Sequence, residues 1–172
     1  MRKSFRGQWL ALLFVLCLAG CSHAPKNPEN SVIRLPDPYI TAVQVVYSKT
    51  ALQGKLERFS SGETRLTVDS PENIAGLTLW LQEGVLQAEY TGLCVSVNSA
   101  AAPASSVLTL LQDALCRING EKMTLSRSLQ LESEHGRLEV FLEEQSLLPQ
   151  KILMPDLRFA AELSEPVPQA VG

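Results

Sequence analysis

The chain has 172 residues, of which 15 are basic and 18 acidic, and its net charge at pH 7 is −3. Nucleic-acid binding needs a basic patch that neutralises phosphates, so this composition argues against a nucleic-acid partner. The acidic residues are scattered. Their one close group, Glu139, Glu143 and Glu144, is typical of a solvated strand face and not of a metal or catalytic pair.

The N-terminus has the layout of a secretory signal peptide. Arg2, Lys3 and Arg6 form a basic segment, and an apolar run over residues 9–18 follows it. A helix that spans a hydrocarbon core needs about 20 apolar residues, so this run is too short to be a transmembrane segment.

Residues 18–21, Leu-Ala-Gly-Cys, match the lipobox of bacterial lipoproteins. In such a box, small residues admit the signal peptidase and the cysteine thiol receives a diacylglycerol. We therefore predict a signal peptide over residues 1–20 and lipidation of Cys21. The domain would then be anchored by lipid to the extracytoplasmic side of a membrane, either the outer leaflet of the cell membrane or an outer membrane. The alternative is an ordinary signal peptide with an incidental cysteine.

Cleavage after residue 20 would remove three basic residues, which leaves 12 basic against 18 acidic residues and a net charge of −6. Residues 21–38 then contain four prolines and few hydrophobic residues, a composition that predicts a flexible tether behind the lipidated cysteine. Residues 165–172 are predicted to be a fraying tail. The segment between them, residues 39–164, has the size of one domain.

Hydrophobic residues recur with a period of two through most of this domain, which indicates strands with one buried face. Glycines at the turns between the apolar runs favour hairpin connections. These glycines are Gly62, Gly84, Gly92 and Gly136. The pattern predicts six strands before the middle of the domain and about four after it.

One segment departs from this alternation. After Pro103, apolar residues recur at helical spacing, and Asn119-Gly120 supplies a stop signal. The apolar stripe consists of Val107, Leu108, Leu111, Leu115 and Ile118. An amphipathic helix must bury its stripe, and the inner face of the sheet is the apolar surface available to it. The predicted fold is therefore mainly β with one central helix: a curved antiparallel sheet, or half-barrel, wrapped over an amphipathic helix.

This order of elements resembles the half-barrel lipoproteins and lipoprotein carriers of the LolA, LolB and LppX type. Residues 136–152 carry the most suggestive match, a strand followed by a turn and a Leu-Pro that opens the next strand. Residues 54–58 and the strand after them add to the resemblance, which spans residues 40–164. The family's long N-terminal helix has no clear counterpart, because residues 41–47 alternate like a strand.

The resemblance implies a concave apolar face that accommodates a lipid, an acyl chain or another hydrophobic ligand. Residues on the predicted inner faces of the strands and on the helical stripe are the candidate lining of such a cavity. They are Leu56, Leu66, Leu79, Val95, Leu111, Leu115, Leu129, Val140, Phe159 and Ala161.

Cys94 and Cys116 lie outside the signal segment and the lipobox, and an extracytoplasmic location leaves two alternatives open for them, a disulfide and free thiols. Zinc is not expected, because two cysteines lack further ligands at a useful spacing.

His135 lies in a turn and no motif presents a nucleophile to it, so no catalytic residue, metal or cofactor is predicted. Trp80 is expected on the outer face, either packed over its neighbours or as an anchor for a partner.

Two functions from different classes follow. The first is a membrane-anchored binding module for a hydrophobic ligand, as the resemblance implies. The second is a non-enzymatic scaffold or regulatory lipoprotein whose helix fills the concavity and which binds a cell-envelope or spore-germination protein. An enzyme is the least favoured interpretation, because the constellation of titratable groups that a reaction needs is missing. An empty apolar cavity above about 300 Å³ would favour the ligand, and a packed interior would favour the scaffold.

Overall fold

The computed structural model describes residues 32–98, 106–122, 128–144, 146–164 and 166–168. Within these ranges the chain forms eleven strands, one α-helix and two short 3₁₀ helices, at Glu72–Ile74 and Pro155–Leu157. The strands and the helix are, in chain order, β1 (Tyr39–Tyr47), β2 (Thr50–Arg58), β3 (Thr64–Ser70), β4 (Thr78–Gln82), β5 (Val85–Tyr90), β6 (Leu93–Asn98), α1 (Val107–Ile118), β7 (Ser128–Ser133), β8 (Gly136–Leu142), β9 (Pro149–Met154), β10 (Phe159–Leu163) and β11 (Val167–Pro168).

All the described strands belong to one sheet, with the order β6-β5-β4-β3-β2-β1-β10-β9-β8-β7 and with β11 paired to β1. Every pairing between them is antiparallel. Along each half of the sheet, strands that follow one another in sequence are neighbours, and β10 returns to lie beside β1. The two edges of the sheet are therefore β6 and β7, and the chain passes through α1 between them.

The alternation in the sequence decides which face of each strand is buried. In β1, Val43 and Val45 are each 1% exposed, whereas Gln44 and Val46, which alternate with them, are exposed. The register carries this inner face across the sheet, because Thr41 is opposite Leu56 and Leu56 is opposite Leu66. The buried side chains of neighbouring strands thus form continuous rows on one side of the sheet.

Helix α1 lies on that inner face and packs on β3 and β4 at one side and on β7 at the other. Its buried residues are Leu108, Leu110, Leu111, Ala114, Leu115 and Ile118. The helix ends where the Asn119 N–H donates to the Leu115 carbonyl and Gly120 takes a φ of +96°. The predicted class, a mainly antiparallel sheet over one central helix, is confirmed, and Leu110 joins the predicted stripe.

A glycine inside β2 marks a close approach between two strands. The pairing of β2 with β3 shifts register between Gln53 and Gly54, as at a β-bulge. A Cβ added at Gly54 would collide with the backbone carbonyl of Thr67. The absence of a side chain therefore lets β3 come close to β2 at this bulge, and bulges of this kind bend and twist a strand.

The folded part begins before residue 39, which corrects the predicted end of the tether at residue 38. Ile33 is 1% exposed, and its N–H donates to the Glu121 carbonyl at 3.0 Å. Its own carbonyl accepts from the Gly120 N–H at 2.9 Å, and the Leu35 N–H donates to Asn119 Oδ1 at 3.2 Å. Leu35 also packs against the core, so two apolar side chains and three hydrogen bonds tie residues 33–35 to the folded part.

The predicted tail also needs correction. Pro166 is buried, and Val167 and Pro168 pair with Ile40 and Tyr39 of β1. The predicted signal peptide, Cys21 and the first part of the predicted tether lie outside the described residues. Within the described ranges, no helix combines the length and the hydrophobicity that a membrane span requires.

Candidate functional site

Most of the residues predicted to line a cavity belong to the packed core. Eight of the ten are between 0% and 6% exposed, so a water-sized molecule reaches almost none of their surface. They are Leu56, Leu66, Leu111, Leu115, Leu129, Val140, Phe159 and Ala161. The structure places these side chains against one another and against α1, and not on the wall of an open cavity.

Accessible apolar surface on the inner face is found at the β6 edge. Leu93, Val95 and Val97 are 72%, 61% and 38% exposed. They lie on the inner face, because Val95 is opposite Ala88 and Val97 is opposite the buried Leu86. Sequence reasoning assigned Val95 to the correct face as a residue that lines a cavity, and the structure places it on the edge strand of the sheet.

The register joins these residues to two half-buried neighbours. Ala88 of β5 is opposite Leu79 of β4, so the apolar surface continues toward the centre of the sheet. We call this surface the inner strip, defined by Leu79, Ala88, Leu93, Val95 and Val97. Tyr90 borders it opposite Leu93, and the Tyr90 hydroxyl donates to the Asn73 carbonyl at 2.9 Å. Contiguous exposed apolar surface of this kind is typical of binding sites.

A polar row crosses three strands on the inner face. Tyr39 is opposite Arg58, and Arg58 is opposite Thr64, so the three side chains are neighbours across β1, β2 and β3. Arg58 Nη1 lies 3.9 Å from Cys116 Sγ of α1, and its Nε lies 3.9 Å from an Asp37 carboxylate oxygen. The row thus combines a cation, two hydroxyls and a thiol at one end of the helix.

Several polar atoms of the sheet and of α1 are buried without a hydrogen-bond partner. They include the Tyr39 hydroxyl and Thr64 Oγ1 on the sheet, and Thr109 Oγ1 and Gln112 Oε1 on α1. Each such group costs about 1–3 kcal/mol relative to a hydrated one. The helix is therefore held against the sheet by its apolar stripe and not by hydrogen bonds at these atoms.

The Tyr39 hydroxyl is a weak acid in this setting. Burial raises the pKa of Tyr39 from 10.0 to about 12, although the nearby Arg58 guanidinium lowers it. The phenol is consequently protonated at physiological pH and offers no base for proton transfer.

The raised pKa of Tyr39 predicts how stability depends on alkaline pH. Folding favours the neutral phenol. The contribution of this group to the free energy of unfolding is therefore complete below pH 10 and is lost as the pH rises from 10 to 12. The parent should lose about 1 kcal/mol of unfolding free energy at pH 11 through this group. Urea unfolding at pH 8 and pH 11 measures it, and Tyr39→Phe should lose less stability between the two. An identical loss in both proteins would contradict the assignment.

The two remaining cysteines are free, exposed thiols, so of the two alternatives the structure has no disulfide. Cys94 lies on the outer face, since it alternates with Leu93 and Val95 on the inner strip. Cys116 contacts Arg58 on the inner side. The sheet therefore separates the two sulfur atoms.

The other residues singled out from the sequence have ordinary packing roles. Trp80 lies on the expected outer face, and the Arg65 guanidinium is 5.5 Å from the centroid of its ring. Glu139 pairs with Arg137 at 3.2 Å on β8, whereas Glu143 and Glu144 follow the end of this strand, so the predicted strand face of three glutamates is wrong for these two. His135 is half-buried in the turn between β7 and β8. Among the described residues, no group of three or more potential metal ligands occurs.

No protein-family model and no curated protein matches the sequence. Among solved structures, the chain is similar to a conserved uncharacterized protein from Thermus thermophilus, with 11% identity and a TM-score of 0.49 over 80% of this chain and 82% of that one. It is also similar to a LolA superfamily protein from Nitrosomonas europaea, with 6% identity and a TM-score of 0.42 over 81% of this chain and 90% of that one.

Proposed function

We propose that the protein is a membrane-anchored extracytoplasmic binding protein that holds a hydrophobic ligand, such as an acyl chain, on its inner strip. The observation that carries this proposal is the exposure of Leu93, Val95 and Val97, at 72%, 61% and 38%, on the same face of the sheet as the buried core. These side chains lose contact with water when an apolar ligand covers them, at a gain of about 25 cal/mol per Å².

The dimensions of the inner strip suit an extended chain. It crosses β4, β5 and β6, and adjacent strands are about 4.8 Å apart, so the strip is about 10 Å wide between the outer strand axes. All five of its defining side chains are uncharged and aliphatic. A ligand here would lie beside α1, because the core beneath the helix is filled by buried side chains.

The anchoring part of the proposal is supported by the lipobox at residues 18–21. Residues 22–32 separate the predicted lipid attachment from the buried Ile33. Eleven residues extend at most about 36–40 Å, so the folded part would stay close to the membrane surface. A site for an apolar ligand would then be within reach of the lipid that supplies it.

Substitutions on the two faces of β6 test the ligand site. A chain that begins at residue 22 keeps every contact described above. It should bind an environment-sensitive hydrophobic dye saturably, one to one, and oleate should displace the dye. Val95→Glu should weaken the dye affinity about tenfold or more, because it places a charge on the inner strip. Fluorescence titration measures the affinity of each variant.

The matched control is Ser96→Glu, which adds the same carboxylate to the next residue of β6 but on the outer face. This variant should keep the parent affinity within about twofold. Equal affinities for Val95→Glu, Ser96→Glu and the parent would show that the dye binds elsewhere.

The filled interior favours a second candidate function, a scaffold that binds a cell-envelope or spore-germination protein. Six residues of α1 are buried on the inner face, and among the described residues they pack on core leucines of the sheet that are themselves buried. If the chain shows only weak, non-saturable dye binding that oleate does not affect, this partner-binding function becomes the better explanation of the exposed β6 residues.

A further inference from the structure

Over Leu93–Val97, the edge of β6 that faces away from β5 has no strand partner among the described residues. All six residues of β6 are exposed, none of them is charged, and none is proline. Its described strand partner is β5, on one side. Proteins usually protect such an edge with charged residues, proline or a bulge, because unpaired backbone groups pair readily with another chain.

The opposite edge of the sheet, β7, is contacted by α1. Arg117 Nη1 of α1 donates to the Glu132 carbonyl of β7 at 3.3 Å, and α1 packs on this strand. Leu129 of β7 is 6% exposed. One side chain thus satisfies an edge carbonyl, and the helix covers the apolar face. The two edges of the same sheet therefore differ in their protection.

The outer face beside β6 is acidic. A groove of about 480 Å³ runs over β4, β5 and β6, lined among others by Glu63, Glu83, Glu89, Trp80 and Cys94. Glu63 is paired with Arg65 at 3.3 Å. Among the described residues, no cation lies within ion-pair distance of Glu83 or Glu89. A strand added at β6 would extend the floor of this groove.

We propose that β6 accepts an extended segment of a partner protein in which apolar and basic residues alternate. Main-chain hydrogen bonds to the β6 edge would supply binding, and the alternation would supply specificity. The apolar residues would lie beside Val95 on the inner face. A basic residue opposite Cys94 would be two strand spacings, about 10 Å, from Glu89. Its aliphatic stem would lie over Cys94 and bring the charge to that carboxylate.

A second copy of this chain fits the edge less well. On the outer face, β6 presents Cys94, Ser96 and Asn98, none of which is basic, so an antiparallel β6 pair would leave Glu89 without a cation. The proposal goes beyond ligand binding and does not depend on it. The added strand pairs through the backbone, and its basic side chains contact the outer groove and not the inner strip.

Two short peptides test the proposal on the chain that begins at residue 22. One alternates lysine with valine over seven residues, and the other alternates glutamate with valine. The lysine peptide should slow amide hydrogen exchange in β6 about tenfold or more at saturation and leave β7 unchanged. It should also bind about tenfold or more tightly than the glutamate peptide, and added salt should reduce this difference.

Charge reversal supplies the specificity control. Glu89→Lys should reverse the preference between the two peptides, whereas Glu162→Lys, an exposed position on β10, should leave it unchanged. Equal binding of both peptides, protection of both edges, or no protection of β6 would overturn the proposal. Concentration-dependent protection of β6 without any peptide, with a dimer in sedimentation, would also overturn it, because the occupant would then be a second copy.

Discussion

Replacing Leu111 with aspartate is expected to remove several kcal/mol of unfolding free energy. Leu111 is 0% exposed between α1 and the sheet, and the carboxylate would be buried there without a partner. A domain of this size has about 5–15 kcal/mol of stability in total, so the substitution removes a large part of it and in a marginal case unfolds the protein. Thermal and urea unfolding of the chain that begins at residue 22 measure the loss.

The matched control places the same carboxylate on the same helix at Cys116, which is exposed. Cys116→Asp sets the new charge beside the Arg58 guanidinium, whose Nη1 is 3.9 Å from the present sulfur atom, so it should change stability by less than about 1 kcal/mol. Gln112, the residue next to Leu111 on α1, would not serve as an exposed control position, because its Oε1 is buried without a hydrogen-bond partner. Equal melting temperatures for Leu111→Asp and Cys116→Asp would show that the helix does not pack on the sheet through this face.

Complete loss of acylation is expected for Cys21→Ala, because this thiol is the only acceptor in the lipobox of residues 18–21. The precursor should also remain uncleaved. Cells are grown with a clickable fatty acid, and the label on the purified protein measures acylation. The intact mass of the protein measures cleavage. Cys17→Ala is the control: this residue lies in the predicted signal peptide, outside the lipobox, so label and cleavage should persist. Undiminished label on Cys21→Ala would disprove the lipoprotein assignment.

Periodicity predicted the faces of the elements because it is a local property. The alternation around Leu56 and Leu66 and the helical spacing of the stripe on α1 assigned the buried sides correctly. Periodicity carries no information about which strands the helix covers. Val95 and Val140 both alternate as inner residues, but Val95 lies at an uncovered edge at 61% exposure, whereas Val140 is fully buried. The position of β6 at the edge depends on the order of the whole sheet.

Long-range contacts explain the other differences between prediction and structure. The proline content of residues 21–38 predicted a tether, but Ile33 is buried, Leu35 packs against the core, and the Ile33 backbone bonds to Gly120 and Glu121. The polar row of Tyr39, Arg58 and Thr64 spans three strands, so its residues are brought together by register. Sequence distance likewise does not reveal that Cys94 and Cys116 lie on opposite sides of the sheet.

The location of a bound acyl chain tests the central claim most directly. A nitroxide-labelled stearate added to the methyl-labelled chain that begins at residue 22 should broaden the NMR signals of the methyl groups near the bound chain. The structure predicts selective broadening at Leu93, Val95 and Val97. Val46 is the internal control, since it is 49% exposed but lies on the outer face of β1, and its signal should persist. Equal broadening of Val46 and Val95, or none at either, would contradict ligand binding on the inner strip.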